Sequence, residues 1–119
     1  MNNKGEKINV QELTRVSRDL SVSELIKLLQ ANHNIFWSWG TSAYMVDNKR
    51  RPRWFRMHVN GHHFKGHVYI SVNAMDLYEV HLTTLQGTIM DKTGDMGVYF
   101  DSLVEWIDDR VERIPAYKK

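Results

Sequence analysis

The clearest indication of a β-sheet is the stretch Phe55-Arg56-Met57-His58-Val59-Asn60-Gly61-His62-His63-Phe64. Up to Val59 its apolar residues alternate with charged or polar ones, which is the two-residue period of a strand with one buried face. Asn60-Gly61 then predicts a tight hairpin turn, because both residues readily adopt the positive φ angles that such a turn requires. A two-residue turn would pair Val59 with His62 and Met57 with Phe64.

The alternation continues in the same phase beyond that turn. A second turn near Ala74-Met75-Asp76 and a third at Gln86-Gly87 separate further extended segments, the last being an edge strand over 88–90 before a loop over 91–97. The apolar residues expected on one common sheet face are Phe55, Met57, Val59, Phe64, Val68, Ile70, Val72, Tyr78, Val80 and Leu82. Agreement of phase across the turns predicts an antiparallel meander. Residues 35–47 are also expected to be extended.

Helices are predicted on both sides of the meander. Ser21-Val22-Ser23-Glu24 has the pattern of a capping box and begins a helix expected to end within 31–34, and a short helix is expected within 10–19. Asp101 is expected to cap a final helix with an acidic outer face. The inward residues of that helix would be Leu103, Val104, Ile107, Val111 and Ile114, and the outward acids Glu105, Asp108, Asp109 and Glu112. The expected fold class is α+β, an antiparallel β-meander of about four to six strands with an N-terminal and a C-terminal helix packed on one sheet face.

From its length and composition we expect one domain, and we expect it in the cytoplasm. We expect residues 1–9 to be a disordered N-terminus and residues 10–119 to form a single α+β domain. The chain has no cysteine, which excludes disulfides and thiolate metal sites. No apolar run approaches the roughly 20 residues that cross a bilayer, and the first residues lead into no secretory signal.

Two stretches resemble small uncharacterised proteins carried by bacterial mobile elements such as conjugative transposons. They are residues 64–78, Phe-Lys-Gly-His-Val-Tyr-Ile-Ser-Val-Asn-Ala-Met-Asp-Leu-Tyr, and residues 98–108, Val-Tyr-Phe-Asp-Ser-Leu-Val-Glu-Trp-Ile-Asp. The resemblance covers the C-terminal half and implies a bacterial origin. It implies no activity, cofactor or catalytic residue.

The strongest indication of function is the basic segment, residues 49–56. Its candidate contacts with an anionic partner are Lys49, Arg50, Arg51, Arg53, Trp54 and Arg56. The chain holds 16 basic and 14 acidic side chains, so without the five cations of this segment 11 basic residues would face 14 acidic ones. Such a concentration attracts anions. We expect nucleic acid or an acidic protein surface as the partner, with Trp54 stacking on a base and Trp54 and Arg56 as the central contacts on an open sheet face.

The alternatives need no nucleic acid. The basic segment could be a solvated loop whose positive charge neutralises the acidic final helix. In a protein–protein interaction module or a homodimer, the open sheet face and the pair Trp37 and Trp39 would form the interface. The basic segment would then meet the acidic helix of a second copy.

Metal binding and catalysis find little support in the residues. His58, His62, His63, His67 and His81 concentrate on neighbouring strands, but their spacing matches no ligand motif, and we expect surface histidines and no metal. No nucleophile elbow, phosphate-binding loop, zinc-protease helix or dinucleotide glycine pattern is present. We therefore expect a non-catalytic protein without a cofactor.

Overall fold

The computed structural model of the protein describes residues 5–31, 39–61, 63–94 and 96–111. Its five strands form one antiparallel sheet in the order β1-β2-β3-β4-β5, so each strand pairs with its neighbour in the chain. A short 3-10 turn over Phe100–Ser102 precedes the last helix. The elements are α1 (Val10–Val16), α2 (Val22–Ala31), β1 (Ser42–Val46), β2 (Trp54–Asn60), β3 (Lys65–Val72), β4 (Tyr78–Thr83), β5 (Ile89–Lys92) and α3 (Leu103–Val111). The predicted α+β meander is confirmed.

The apolar side of this sheet, called the first face, forms the main core as the alternation predicts. Phe55 is 2% exposed, and Ile70 and Val80 are fully buried. Two helices cover the first face, with α2 contributing Leu25 and Leu29 and α3 contributing Leu103, Ile107 and Val111 to the same cluster. The N-terminal and C-terminal helices therefore pack on one sheet face, as expected. Each fully buried aliphatic side chain contributes about 1.5–3 kcal/mol.

The polar side of the sheet, called the second face, is partly covered by α1. Leu13 of α1 packs against Trp54 and Tyr69, and Ile8 joins this smaller cluster. The indole Nε1 of Trp54 donates a hydrogen bond of 3.0 Å to Thr14 Oγ1. The expectation of a wholly open second face is therefore wrong at this end. The sequence pattern indicated a helix here but not which side of the sheet it would cover.

The β2–β3 connection differs from the predicted two-residue turn. Met57 lies opposite Val68 and Asn60 opposite Lys65, so residues 61–64 connect the strands. The shift is four residues, an even number, and every side chain therefore keeps the predicted face. Gly61 does not have positive φ. It is needed for close approach, because a Cβ there would lie 2.4 Å from the carbonyl oxygen of Val111 at the described end of α3.

The next two connections lie where they were predicted. Val72 pairs with Tyr78, and Asn73 Oδ1 accepts hydrogen bonds from the backbone N–H groups of Met75 at 2.9 Å and Leu77 at 3.1 Å. Gly87 adopts φ +92° in the turn between β4 and β5. The loop expected over 91–97 starts later than predicted, because β5 continues to Lys92.

The N-terminal segment, which we expected to be disordered over residues 1–9, forms hydrogen bonds with the sheet from Gly5 onward. The N–H of Gly5 donates to the carbonyl of Ile89 at 2.7 Å, and the N–H of Ile8 donates to that of Gly87 at 2.8 Å. These bonds place residues 5–8 along the β5 edge. Asn9 caps α1 by accepting a hydrogen bond of 3.0 Å from the N–H of Glu12. Residues 1–4 lie outside the described part of the chain.

The start and the face of α3 also differ from expectation. Asp101 lies within the 3-10 turn and is not the cap of the helix. Asp108 was assigned to the acidic outer face, but it is fully buried and accepts a hydrogen bond of 3.0 Å from Trp39 Nε1. A buried indole N–H needs an acceptor, which explains an acid on the inner side of the helix. Trp39 is therefore a core residue and not part of a partner surface.

Several expectations fall outside the described residues. They are the extended segment over 35–38 with Trp37, the position of His62, the inward face of Ile114 and the acid Glu112.

The contact between Gly61 and α3 predicts an unequal response to alanine. Gly61→Ala should lower the free energy of unfolding by about 1–3 kcal/mol, because the new methyl group overlaps backbone atoms of Val111. Gly94→Ala is the matched control, since a Cβ at that position meets nothing within 4 Å. Urea denaturation of both variants measures the difference. Equal midpoints for the two variants would show that the loop does not rest on α3.

Candidate anion-binding site

An open cavity of about 380 Å³, called the cationic cleft, lies where three separate segments meet. The α1–α2 connection supplies Ser17, Arg18 and Asp19, the loop before β2 supplies Arg51 and Arg53, and the β3–β4 turn supplies Asp76. Three guanidinium groups therefore line one cavity. The structure brings together two of the residues predicted from the basic segment and adds Arg18 from a distant part of the sequence.

Two side chains fold the loop that presents the basic segment. Asn48 Oδ1 accepts hydrogen bonds from the N–H groups of Arg50 at 2.8 Å and Arg51 at 3.3 Å. Asp47 Oδ1 accepts from the N–H groups of Arg53 at 2.7 Å and Trp54 at 3.1 Å. Asn and Asp commonly bond the backbone a few residues on and so stabilise turns without a regular ladder. These bonds fix the loop before any ligand arrives.

Asp19 is the internal counter-ion of the cleft. Arg51 Nη2 lies 2.9 Å from Asp19 Oδ2, and Arg53 Nε lies 3.6 Å from Asp19 Oδ1. The hydrogen bond from Arg51 is the largest influence that holds the pKa of Asp19 below its ordinary value, and the nearby charges of Arg51, Arg53 and Arg18 act in the same direction while burial opposes them. Because the Arg51 and Asp19 side chains are 70% and 54% exposed, the pair is screened by water and contributes little to stability.

The remaining cations of the cleft differ in how firmly they are held. Arg53 Nη1 also donates to the carbonyl oxygens of Thr14 and Ser17, each at 3.3 Å. Arg18 Nη1 lies 3.4 Å from Asp76 Oδ1. Arg18 Nη1 also donates to the carbonyl oxygen of Ala74 at 3.4 Å. Arg53 is therefore anchored against the end of α1, whereas Arg51 relies on an exposed carboxylate.

The charge of the site is positive. The cations of the cleft and its loop are Arg18, Lys49, Arg50, Arg51 and Arg53, and the acids are Asp19, Asp47 and Asp76, so five charges against three leave +2. Lys49 and Arg50 are exposed beside the cleft. Within the described residues the ion pairs of the basic segment go to Asp19, not to α3, whose Arg110 instead pairs with Asp91 at 3.1 Å.

The structure separates Trp54 and Arg56 from the cleft. Trp54 is 7% exposed beneath α1, so its ring is not offered to a base as we expected. Arg56 lies two residues further along β2 and opposite Tyr69, on the second face. The predicted segment therefore divides into a cleft with its exposed loop and a separate position on the sheet.

The second face also carries histidines. The rings of His58 and His67, which lie opposite each other on β2 and β3, are 6.0 Å apart between centroids. His81 on β4 is 5% exposed, and burial, reinforced by the charge of Lys92, lowers its pKa to about 4. In the described ranges no three His, Cys, Asp or Glu side chains lie close enough together to hold a metal ion.

This arrangement can bind an oxyanion without catalysing a reaction of it. A guanidinium presents parallel N–H donors that match two oxygens of a phosphate or carboxylate. The contributions of Arg18, Asp19 and Asp76 could not be assigned from the sequence. Arg18 and Asp19 precede the basic segment by 30 residues or more, and Asp76 follows it on a later turn. Only the adjacency of Arg18 and Asp19 between two helices marked them as a charged connection.

Comparison with known proteins adds no relative. No protein-family model, curated protein or solved structure matches this chain. Among the helices of the described residues, none has the length and apolar character that crossing a bilayer requires.

Buried His81 predicts a pH-dependent stability. Its pKa falls from 6.5 in the unfolded chain to about 4 in the folded one, so the unfolded chain binds a proton that the folded chain resists. The free energy of unfolding should be highest above pH 6.5 and should fall by roughly 2–3 kcal/mol towards pH 4 through this residue.

Urea denaturation at several pH values tests this dependence with two variants. His81→Gln should show a shallower loss of stability between pH 6.5 and 4 than the natural protein. The control His63→Gln removes an exposed imidazole and should leave the loss unchanged. An unchanged slope in His81→Gln would contradict the burial of a neutral imidazole.

Proposed function

We propose that this protein is a small non-catalytic binding protein that holds the phosphate backbone of a nucleic acid at the cationic cleft. The main support is the convergence of Arg18, Arg51 and Arg53, from two distant segments, on one open cavity. Lys49 and Arg50 extend the positive surface beyond it. Guanidinium groups in this number favour a chain of phosphates over a single weak anion.

The proposed contacts are with the backbone and not with the bases. Trp54 is buried and hydrogen-bonded to Thr14, so the site lacks the stacking ring that we first expected. Phosphate contacts position a nucleic acid without distinguishing its sequence. Binding should therefore tolerate different sequences and weaken steeply as salt is added.

Asp19 sets the affinity of the proposed site. Its carboxylate occupies the donors of Arg51 and approaches Arg53, as a phosphate group would. Because this pair is exposed and weak, a phosphate can displace it at little cost. The preformed loop and the displaceable counter-ion together give a site that is ordered when empty and open to an anion.

The wider setting rests on the resemblance described above. Handling of DNA or RNA within a bacterial mobile element remains a prediction. The alternative, a homodimer or protein–protein interaction module, predicts that sedimentation depends on protein concentration and that oligonucleotides do not bind.

Charge reversal beside the cleft should abolish most of the binding. The double variant Lys49→Glu, Arg50→Glu should weaken affinity for a fluorescent single strand and duplex by roughly tenfold or more at low salt. With two cations lost, binding releases fewer counterions from the nucleic acid. The control Lys7→Glu, Lys27→Glu makes the same charge change at exposed positions on the N-terminal segment and α2. Fluorescence anisotropy over a salt series measures both. An equal loss of affinity in both variants would show that binding depends on net charge alone and would contradict a site at the cleft.

A single neutralising change should act in the opposite direction. Asp19→Asn releases Arg51 and Arg53 and should tighten binding several-fold, about the worth of one exposed ion pair. Glu105→Gln makes the same charge change on the exposed side of α3 and should leave affinity nearly unchanged. This increase cannot arise from misfolding. Weaker binding in Asp19→Asn, or equal affinity for poly-glutamate and oligonucleotide, would contradict the proposal.

A further inference from the structure

Arg56 is a half-buried cation for which the described residues provide no counter-ion. It lies on the second face, and neither a hydrogen bond nor an ion pair of its side chain occurs among the described residues. Its Nε is buried and lacks an acceptor. Arginines removed from water are normally paired, because an unpaired desolvated charge is costly. This side chain is therefore ready to accept an anion.

The neighbours of Arg56 are further groups that can become positive. His58 follows it by two residues on the same face of β2, and His67 lies opposite His58 on β3. The two imidazole rings are 6.0 Å apart, and Ser42 Oγ lies 3.4 Å from His58 Nδ1. Burial lowers the pKa of His67, and the positive charges of Arg56 and His58 lower it further. Mutual repulsion of this kind is relieved when an anion binds between the groups.

Charged and titratable groups on the surrounding elements are mostly cationic or neutral. Lys65 and Tyr69 share β3 with His67, buried His81 on β4 lies opposite Tyr69, and Lys92 on β5 lies opposite His81. On α1, the carboxylate of Glu12 is held by Arg15. Glu79, the acid of β4 on this face, lies opposite Ser71. Ser71 is four residues from His67, or roughly 13 Å along the strand.

We propose that Arg56, His58 and His67 form a second phosphate subsite, which extends the proposed nucleic-acid path along β2 and binds more tightly as the two histidines become protonated. The extension rests on the proposed function, because the ligand is the same backbone. β2 begins beside the cleft at Trp54, which α1 covers, and reaches His58 after four residues, a length of roughly 13 Å. A nucleic acid bound at both sites would therefore pass beside α1. The span along β2 is long enough for successive phosphates of an extended strand.

The direction of the pH effect follows from linkage. A bound phosphate favours the charged form of each imidazole, so protonation and binding strengthen each other. The phosphodiester keeps its single charge over the whole range, and only the protein changes. Affinity should therefore rise as pH falls from about 7.5 to about 5.5.

Oligonucleotide binding at the two pH values tests the subsite. At constant ionic strength the natural protein should bind roughly tenfold more tightly at the lower pH, the order of two partly exposed charge pairs. His58→Gln, His67→Gln should lose this ratio, because neither replacement gains a charge at the lower pH. His63→Gln, an exposed histidine in the β2–β3 connection, should keep it. A ratio that survives in the double variant, or disappears in His63→Gln, would overturn the subsite.

A second measurement separates the subsite from the proposed function. Sulfate keeps its charge over this pH range, so the imidazole resonance of His67 can be titrated in sulfate and in chloride at equal ionic strength. The midpoint should be higher in sulfate, and Arg56→Gln should remove the difference. If oligonucleotides fail to bind at either pH but sulfate raises the midpoint, the proposed function fails and the anion subsite stands. Identical midpoints in sulfate and chloride would overturn the subsite.

Discussion

The strict alternation of side chains along β2, β3 and β4 positions both the core and the proposed binding groups of this protein. It places Phe55, Ile70 and Val80 on the first face, where α2 and α3 exclude water from them. The same alternation places charged and imidazole groups on the second face. Every functional group proposed for this protein lies on the second face or on the connections at its end. Loss of the alternation would therefore remove the core and the site together.

The cationic cleft depends on this frame through short backbone contacts. The N–H of Leu20 donates to the carbonyl of Pro52 at 2.8 Å, and the N–H of Arg18 donates to that of Val72 at 2.8 Å. These bonds hold the α1–α2 connection against the loop before β2 and the end of β3. The ion pairs within the cleft are exposed and add little stability. The site is thus positioned by buried and backbone interactions, while its charged groups remain available for exchange with a ligand.

The sequence predicted the sheet well because period and phase are local properties. The five-stranded meander, the turn near Ala74-Met75-Asp76 and the apolar first face all follow from alternation. It failed where a distant contact decides the outcome. Gly61 was assigned to a hairpin turn, but its lack of a side chain is needed where α3 approaches. Asp108 was placed in solvent because nothing in the sequence links it to the indole of Trp39.

The same distinction applies to the site. The density of cations over residues 49–56 is visible in the sequence, and it led to the prediction of an anion-binding segment there. The burial of Trp54 beneath α1 and the arrival of Arg18 and Asp19 depend on tertiary packing. The path of α1 across the second face could not be derived from its helical spacing, since either sheet face could have accepted Leu13.

An NMR titration of the backbone amides with a short single-stranded oligonucleotide at low salt shows whether the cationic cleft binds phosphate. If the cleft binds phosphate, the amides of Arg18, Asp19, Arg50 and Arg51 should shift first, while those on the exposed side of α3 should remain in place. Shifts centred on α3, or an unchanged spectrum at saturating oligonucleotide, would contradict a phosphate-binding cleft between the helix connection and the loop before β2.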